Sequence, residues 1–154
     1  MARAAAALVL LALAFGTTGC GGGEGVAGGA TVRVYVSGPL CPGAKRELAK
    51  EGGSAGDVRV RAVCLEATEA AGRLDLAAIG ADARRATEDS AAIAYLEGPD
   101  SAAARFAQPI LESAGIAHLV ASSGEAGMRR ILAAVSEADS GSLRDAVRES
   151  LAER

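Results

Sequence analysis

The apolar residues from position 31 onward follow two spacings in turn, one typical of strands and the other typical of helices. Alternation, or a short apolar run bounded by turn residues, predicts four strands, at 31–36, 57–65, 91–96 and 116–121. Arg59 and Arg61 point outward in the second of these strands, which favours a position at the edge of a sheet. The third run is apolar throughout, as expected for a strand that is covered on both faces.

Helical spacing fills the segments between the predicted strands. Helices are predicted at about 43–51, 74–88 and 101–114. After the fourth strand, apolar residues take the i, i+3, i+4 and i+7 positions of a further helix, namely Met128, Ile131, Leu132 and Val135. Ser142 and Asp145 resemble a capping box that begins the last helix.

This alternation predicts an α/β fold, with an open parallel sheet of about four strands and helices on both faces. We expect the strand order 2-1-3-4 in a single lobe. That order places a switch point between the first and third strands, and ligands of open α/β sheets bind there, beyond the carboxyl ends of the strands. The loops expected to line the site are 37–42 and 97–101.

An apolar N-terminal segment predicts export. Arg3 precedes an apolar run at 4–15, the arrangement of a signal peptide, and the run is shorter than the about 20 residues that a membrane-spanning helix needs. The residues before Cys20 resemble the lipobox of bacterial lipoproteins, in which the cysteine is acylated. A plain secreted chain is the alternative. The expected organisation is a lipoprotein signal peptide at 1–19, a lipidated Cys20, a Gly-rich tether at 20–30 and one domain at 31–154.

Composition and charge narrow the class of protein. Half of the residues are apolar, tryptophan is absent, and the net charge of −3 becomes −4 once Arg3 is removed with the signal peptide, since 15 basic residues then face 19 acidic ones. Nothing favours a nucleic-acid partner, which would require a clustered basic face. We expect no metal and no cofactor, because clustered ligands are absent from the sequence. His118, the one histidine, has no nucleophile at catalytic spacing, so we expect that the protein is not an enzyme.

Two cysteines lie near the ends of neighbouring predicted strands. Cys41 follows the first strand, and Cys64 lies near the end of the second. An exported protein meets an oxidising environment, so we predict a disulfide between Cys41 and Cys64. Two buried thiols that never meet are the alternative.

Several sequence features of residues 75–123 occur in the order seen in one protein family. The family's "N/D-A-R-R-A" helix, "DSxAIAYIG" strand, "DS" helix start and "PIxNEAGI" segment have counterparts at 82–86, 89–96, 100–101 and 109–116. Residues 125–151 are similar to the family's closing helices. On these motifs the chain resembles the amino-terminal lobe of type I periplasmic binding proteins, specifically the leucine/isoleucine/valine-binding lipoproteins that serve ABC importers.

The resemblance implies a function and a set of binding residues. By position in the family, Ser101, Ser122 and Ser123 are expected to bind a small amino acid-like ligand. An ABC permease is the expected partner, and the outer face of the cytoplasmic membrane is the expected location. Family members enclose the ligand between two lobes, whereas here the fourth strand is expected to lead directly into the closing helices.

These features together predict a membrane-anchored solute-binding lipoprotein, reduced to one lobe and so of weak or altered ligand binding. The alternative is a protein-interaction module, or a non-binding remnant, in which the exposed face of the lobe forms a homodimer or contacts a partner protein.

Overall fold

The fold alternates strands with helices, and its computed structural model describes residues 29–66, 69–70, 73–99, 102–138 and 141–153. The strands are β1 (Thr31–Val36), β2 (Ser54–Ala55), β3 (Val58–Cys64), β4 (Glu69–Ala70), β5 (Arg73–Leu74), β6 (Ala92–Glu97) and β7 (Ala117–Val120). The helices are α1 (Cys41–Lys50), α2 (Leu76–Glu88), α3 (Ala102–Ser113), α4 (Gly124–Glu137) and α5 (Leu143–Ala152). A short 3-10 turn, Gly38–Leu40, leads from β1 into α1.

The central strand of the main sheet is β1. It pairs in parallel with β3 on one side and with β6 on the other, and β6 pairs in parallel with β7. The short β2 adds an antiparallel strand beside β3, so the order is β2-β3-β1-β6-β7. The predicted α/β fold, and the predicted order of its four parallel strands, are confirmed.

Helices cover both faces of this sheet. Alternation along β1 sends Val34 and Val36 to one face and Tyr35 to the other, and all three side chains are buried. The first face packs against α1, α4 and α5, and the second packs against α2 and α3. The largest fully buried side chains in these two layers include Leu96, Met128, Ile131 and Val147 on the first face, and Ile79, Tyr95 and Leu111 on the second.

Three short strands depart from the sequence prediction. The antiparallel β2 covers the first two residues of β3, so the predicted edge strand has a neighbour at its start and an open edge only beyond it. The strands β4 and β5 pair with each other in a separate two-stranded sheet, within a segment for which no strand was expected. Each of these strands is two residues long, which is too short for an alternating pattern to show in the sequence.

Side-chain caps fix the starts of three helices. The Asp75 carboxylate accepts hydrogen bonds from the Ala77 and Ala78 amides at 3.0 Å. The Ser123 hydroxyl accepts one from the Ala126 amide at 3.2 Å, at the start of α4. The predicted cap of the last helix is present, since Ser142 Oγ accepts a hydrogen bond from the Asp145 amide at 3.4 Å.

The N-terminal ends of α1 and α4 lie against each other, and glycine makes this contact feasible. A Cβ atom on Gly124 would overlap the carbonyl oxygen of Leu40 and lie 2.6 Å from the backbone nitrogen of Ala44. Both atoms belong to the backbone, so they cannot move aside without displacing α1. The position of α4 against the sheet therefore depends on the missing side chain of Gly124.

We expect Gly124→Ala to lower the free energy of unfolding by about 3 kcal/mol or more, because the added methyl group pushes α1 and α4 apart. Urea unfolding followed by circular dichroism measures the change. Gly141→Ala is the matched control, since a Cβ at that position meets nothing within 4 Å. A Gly124→Ala variant as stable as the control would contradict the close contact between the two helices.

Candidate functional site

The carboxyl ends of the four parallel strands meet along one edge of the sheet, called here the carboxyl edge. Because α1 leaves β1 toward one face and α3 leaves β6 toward the other, the switch point of the sheet lies between β1 and β6. Backbone hydrogen bonds hold the chain segments side by side where the strands end. They run from the Ser37 amide to the Leu96 carbonyl (3.0 Å), from Leu65 to Val36 (2.9 Å) and from Ala121 to Glu97 (2.9 Å).

Two of the predicted ligand-binding serines lie at the carboxyl edge. Ser122 and Ser123 form the turn between β7 and α4; Ser122 is exposed and Ser123 is half-buried. The Ser123 hydroxyl already caps α4, which leaves the exposed Ser122 as the serine that is better placed for a ligand. Ser101 and Cys20, predicted to bind the ligand and to carry lipid, lie outside the described residues.

The predicted disulfide is present at the same edge. Cys41 and Cys64 are bonded, with their Cα atoms 5.6 Å apart. Cys41 is the buried first residue of α1, and Cys64 is the exposed last residue of β3, opposite Val36 of β1. The bond therefore fixes the start of α1 to the end of the neighbouring strand and stiffens one side of the switch point.

Replacing both cysteines, as Cys41→Ala with Cys64→Ala, is expected to lower the free energy of unfolding by about 3 kcal/mol, since the bond joins residues 23 positions apart and restricts the unfolded chain. Urea unfolding measures this loss. A reductant should lower the stability of the wild type by a similar amount and leave the double variant unchanged. A wild type that keeps its stability after a thiol assay shows full reduction would contradict the expected contribution.

Glu97 was placed in the loop 97–101 by the sequence analysis, which missed that it ends β6 with a buried carboxylate. Glu97 is only 5% exposed, and its Oε2 atom has no hydrogen-bond partner among the described residues. Strand alternation directs the side chain to the same face as Tyr95, toward α2 and α3. Burial, and then the negative charge of Asp82 on α2, raise the pKa of Glu97 to about 7.

The groups around Glu97 share its poorly solvated environment. Burial raises the pKa of Asp82, and Arg85 partly opposes that increase. Burial also raises the pKa of Tyr95, and the negative charges of Glu97 and Asp82 raise it further. We call Glu97, Asp82 and Tyr95 the Glu97 cluster. It is a region of negative potential beneath the carboxyl edge.

His118 on β7 borders this region. Its ring meets the ring of Tyr95 edge-on, with the two centroids 6.1 Å apart. Burial lowers the pKa of His118, and its Nε2 atom is buried with no hydrogen-bond partner in the described part of the chain. The imidazole is therefore neutral near pH 7 and does not supply a positive charge to Glu97.

A second buried carboxylate, Glu47 on α1, shows how this protein accommodates a structural charge. Glu47 is 3% exposed, and its carboxylate accepts hydrogen bonds from Arg129 at 2.7 Å and from Lys50 at 2.8 Å. These two partners, Arg129 first, lower the pKa of Glu47 to about 2. Glu97 is similarly inaccessible to solvent, but desolvation dominates and it has no such cationic partners, so the two carboxylates have opposite pKa shifts.

Comparison with known proteins identifies no family. No protein-family model, curated protein or solved structure matches the chain. Its description is therefore that of a mixed α/β domain with a largely parallel five-stranded sheet. In the described ranges, no three acidic, histidine or cysteine side chains are grouped so as to hold a metal ion. Of the helices described, none has the length and apolar character needed to span a membrane.

We expect Glu97→Gln to stabilise the protein at high pH. The pKa of Glu97 is about 7 in the folded state against an ordinary 4.5, so the folded chain binds the proton more tightly, and stability falls as pH rises through this window. The loss of folding stability caused by ionised Glu97 is fully present above about pH 7 and absent below about pH 4.5. Urea unfolding at pH 8.5 should show a gain of about 3 kcal/mol for the variant, and at pH 4 almost none.

Glu47→Gln is the matched control, with the opposite sign. The pKa of Glu47 is lowered, so its contribution to stability is present above pH 4.5 and disappears as pH falls toward 2. This variant should be less stable than the wild type at pH 7 and approach it at pH 2. If Glu97→Gln instead destabilised the protein at pH 8.5, Glu97 would have an attractive partner and the description of the site would be wrong.

Proposed function

We propose that the protein is a membrane-anchored solute-binding lipoprotein, related to the branched-chain amino acid binding proteins of ABC importers, and that a small amino acid-like ligand binds at its carboxyl edge. The observation that carries the proposal is the strand order, which puts a switch point between β1 and β6. The motifs at 75–123 that resemble the family support the choice of solute. A disulfide suits an exported location.

The carboxyl edge offers groups for both charges of an amino acid. The exposed Ser122 hydroxyl lies just before α4, whose N-terminal end carries a partial positive charge that favours a carboxylate. Glu97 supplies negative charge on the opposite side of β6 from Leu96. A zwitterionic solute therefore matches this edge better than an anion does.

The proposed site has a wall on one side only. Residues 121–123 alone connect β7 to α4, so no second lobe is inserted at the point where the related binding proteins have one. A ligand on this edge keeps part of its surface in water, and it loses much of the burial that gives tight binding. We therefore propose weak binding, with the lipid anchor at Cys20 keeping the domain close to a permease.

We expect L-leucine to bind with a dissociation constant of about 1 mM or weaker, since half of the enclosing surface is missing. Amide chemical-shift changes in an NMR titration should centre on residues 37, 97 and 122. Ser122→Gln should weaken binding, whereas Ser54→Gln, at an exposed serine beside the start of β3, should not. Shift changes elsewhere, or none with any branched-chain amino acid up to about 50 mM, would refute the proposed ligand class.

A protein-interaction module is the second candidate. Within the described residues, β7 pairs only with β6, and Val120 at its end is 41% exposed. Leu76 on α2 and Phe106 on α3 are also exposed. An open edge strand can pair with another chain, and exposed apolar side chains can contact one. Sedimentation analysis of the NMR sample separates the two functions: a stable dimer that ignores leucine favours the module, and a leucine-binding monomer favours the lipoprotein.

A further inference from the structure

Glu97 is an unusual residue for the interior of this domain. It and Glu47 are the buried charged side chains of the described core, and Glu47 has two cationic partners. Glu97 has no partner for Oε2 in the same part of the chain. A buried carboxylate without a partner costs stability, because desolvation is not offset by hydrogen bonds. A residue whose ionised form is disfavoured in the fold, and which lies at the carboxyl edge, is a candidate for ligand binding.

The Glu97 cluster favours a positively charged ligand group. Asp82 on α2 adds a second negative charge, and Tyr95 on β6 stays neutral because burial raises its pKa. His118 on β7 is neutral near pH 7, with Glu112 of α3 as its charged neighbour. Arg85 acts on Asp82, and no described cation hydrogen-bonds to Glu97. Negative charge is therefore in excess around Glu97.

The backbone is open just beyond Glu97. Gly98 follows it directly, and a Cβ atom at this position would meet nothing within 4 Å. A solute at the switch point can therefore reach the backbone at the end of β6, and contact with the buried Glu97 carboxylate requires that side chain to turn toward it. A primary ammonium is small and has three N–H donors, so it can satisfy a carboxylate oxygen that has no partner in the protein.

We infer that Glu97 forms the subsite that binds a cationic group of the solute at the carboxyl edge. That group is a protonated amine. This inference rests on the proposed function and names the part of the solute that is recognised most strongly. A charge-assisted hydrogen bond to a desolvated carboxylate contributes more than a neutral one, and a one-walled site has few other contacts. The amine, rather than the carboxylate or the apolar side chain of the solute, is the determinant of binding.

The subsite links binding to pH. The amine requires the ionised form of Glu97, and the pKa of this carboxyl in the empty site is about 7. Affinity therefore rises with pH through about 7, and binding below that pH releases a proton to solvent. The charge of Asp82, whose own pKa burial raises, opposes the ionisation of Glu97, while Tyr95 and His118 are neutral near pH 7.

Three probes of similar shape test the subsite on the full chain by NMR titration at pH 8. They are L-leucine, 3-methylbutylamine, which lacks the carboxylate, and 4-methylpentanoate, which lacks the amine. We expect both amines to bind, and 4-methylpentanoate to bind at least about tenfold more weakly than leucine. Glu97→Gln should weaken the binding of leucine and of 3-methylbutylamine about tenfold and should not weaken that of 4-methylpentanoate. Glu51→Gln, at an exposed position after α1, should weaken the binding of none of the three.

A second measurement does not depend on the variant. Carbon-13 NMR of the Glu97 carboxyl in the wild type should show its pKa falling from about 7 when 3-methylbutylamine saturates the site. If 3-methylbutylamine binds and shifts this pKa but leucine does not bind, the subsite is retained and the amino acid function is refuted. If leucine and 4-methylpentanoate bind equally, and Glu97→Gln changes neither, the function is retained and the subsite is refuted. An unchanged Glu97 pKa with all three probes refutes the subsite.

Discussion

The parallel pairing of β1 with β3 on one side and with β6 on the other is the constraint on which this structure depends. A strand paired on both edges and buried on both faces must be apolar on both faces, and helices must cover each face. The crossover connections that satisfy this requirement send α1 and α3 to opposite faces and create the switch point. They also bring the disulfide, Glu97 and the turn at Ser122 to a single edge of the sheet.

Two glutamates with similarly low exposure differ in how the fold accommodates their charge. Glu47 joins α1 to α4 through Arg129, and its ionised form stabilises the fold. The surroundings of Glu97 disfavour its ionised form, since desolvation and the charge of Asp82 both favour the protonated carboxyl. A leucine or a glutamine at position 97 would fit the folding requirement better. This unfavourable buried carboxylate lies at the carboxyl edge, where the proposed ligand would pair with it.

Much of the fold follows from the sequence, because burial on both faces is visible in a run such as 91–96, and alternation is visible at 31–36. The disulfide follows from the predicted adjacency of two strands. The strand pair β4 and β5 is too short to leave a pattern. Glu97 was missed for another reason: in sequence it is the first polar residue after an apolar run, which is typical of a loop. Its burial depends on Asp82 and the α2–α3 layer, which are contacts of the tertiary structure.

A site with one wall obtains its selectivity differently from an enclosed one. An enclosed cleft discriminates by shape, because every surface of the ligand meets protein. At an open edge most of the ligand surface stays in water, and the apolar part of the solute gains little from binding. One desolvated charge then carries most of the discrimination, since removing its partner leaves a buried carboxylate unpaired. If the proposed site binds a solute, Glu97 makes it selective for a charged group and tolerant of the side chain attached to that group.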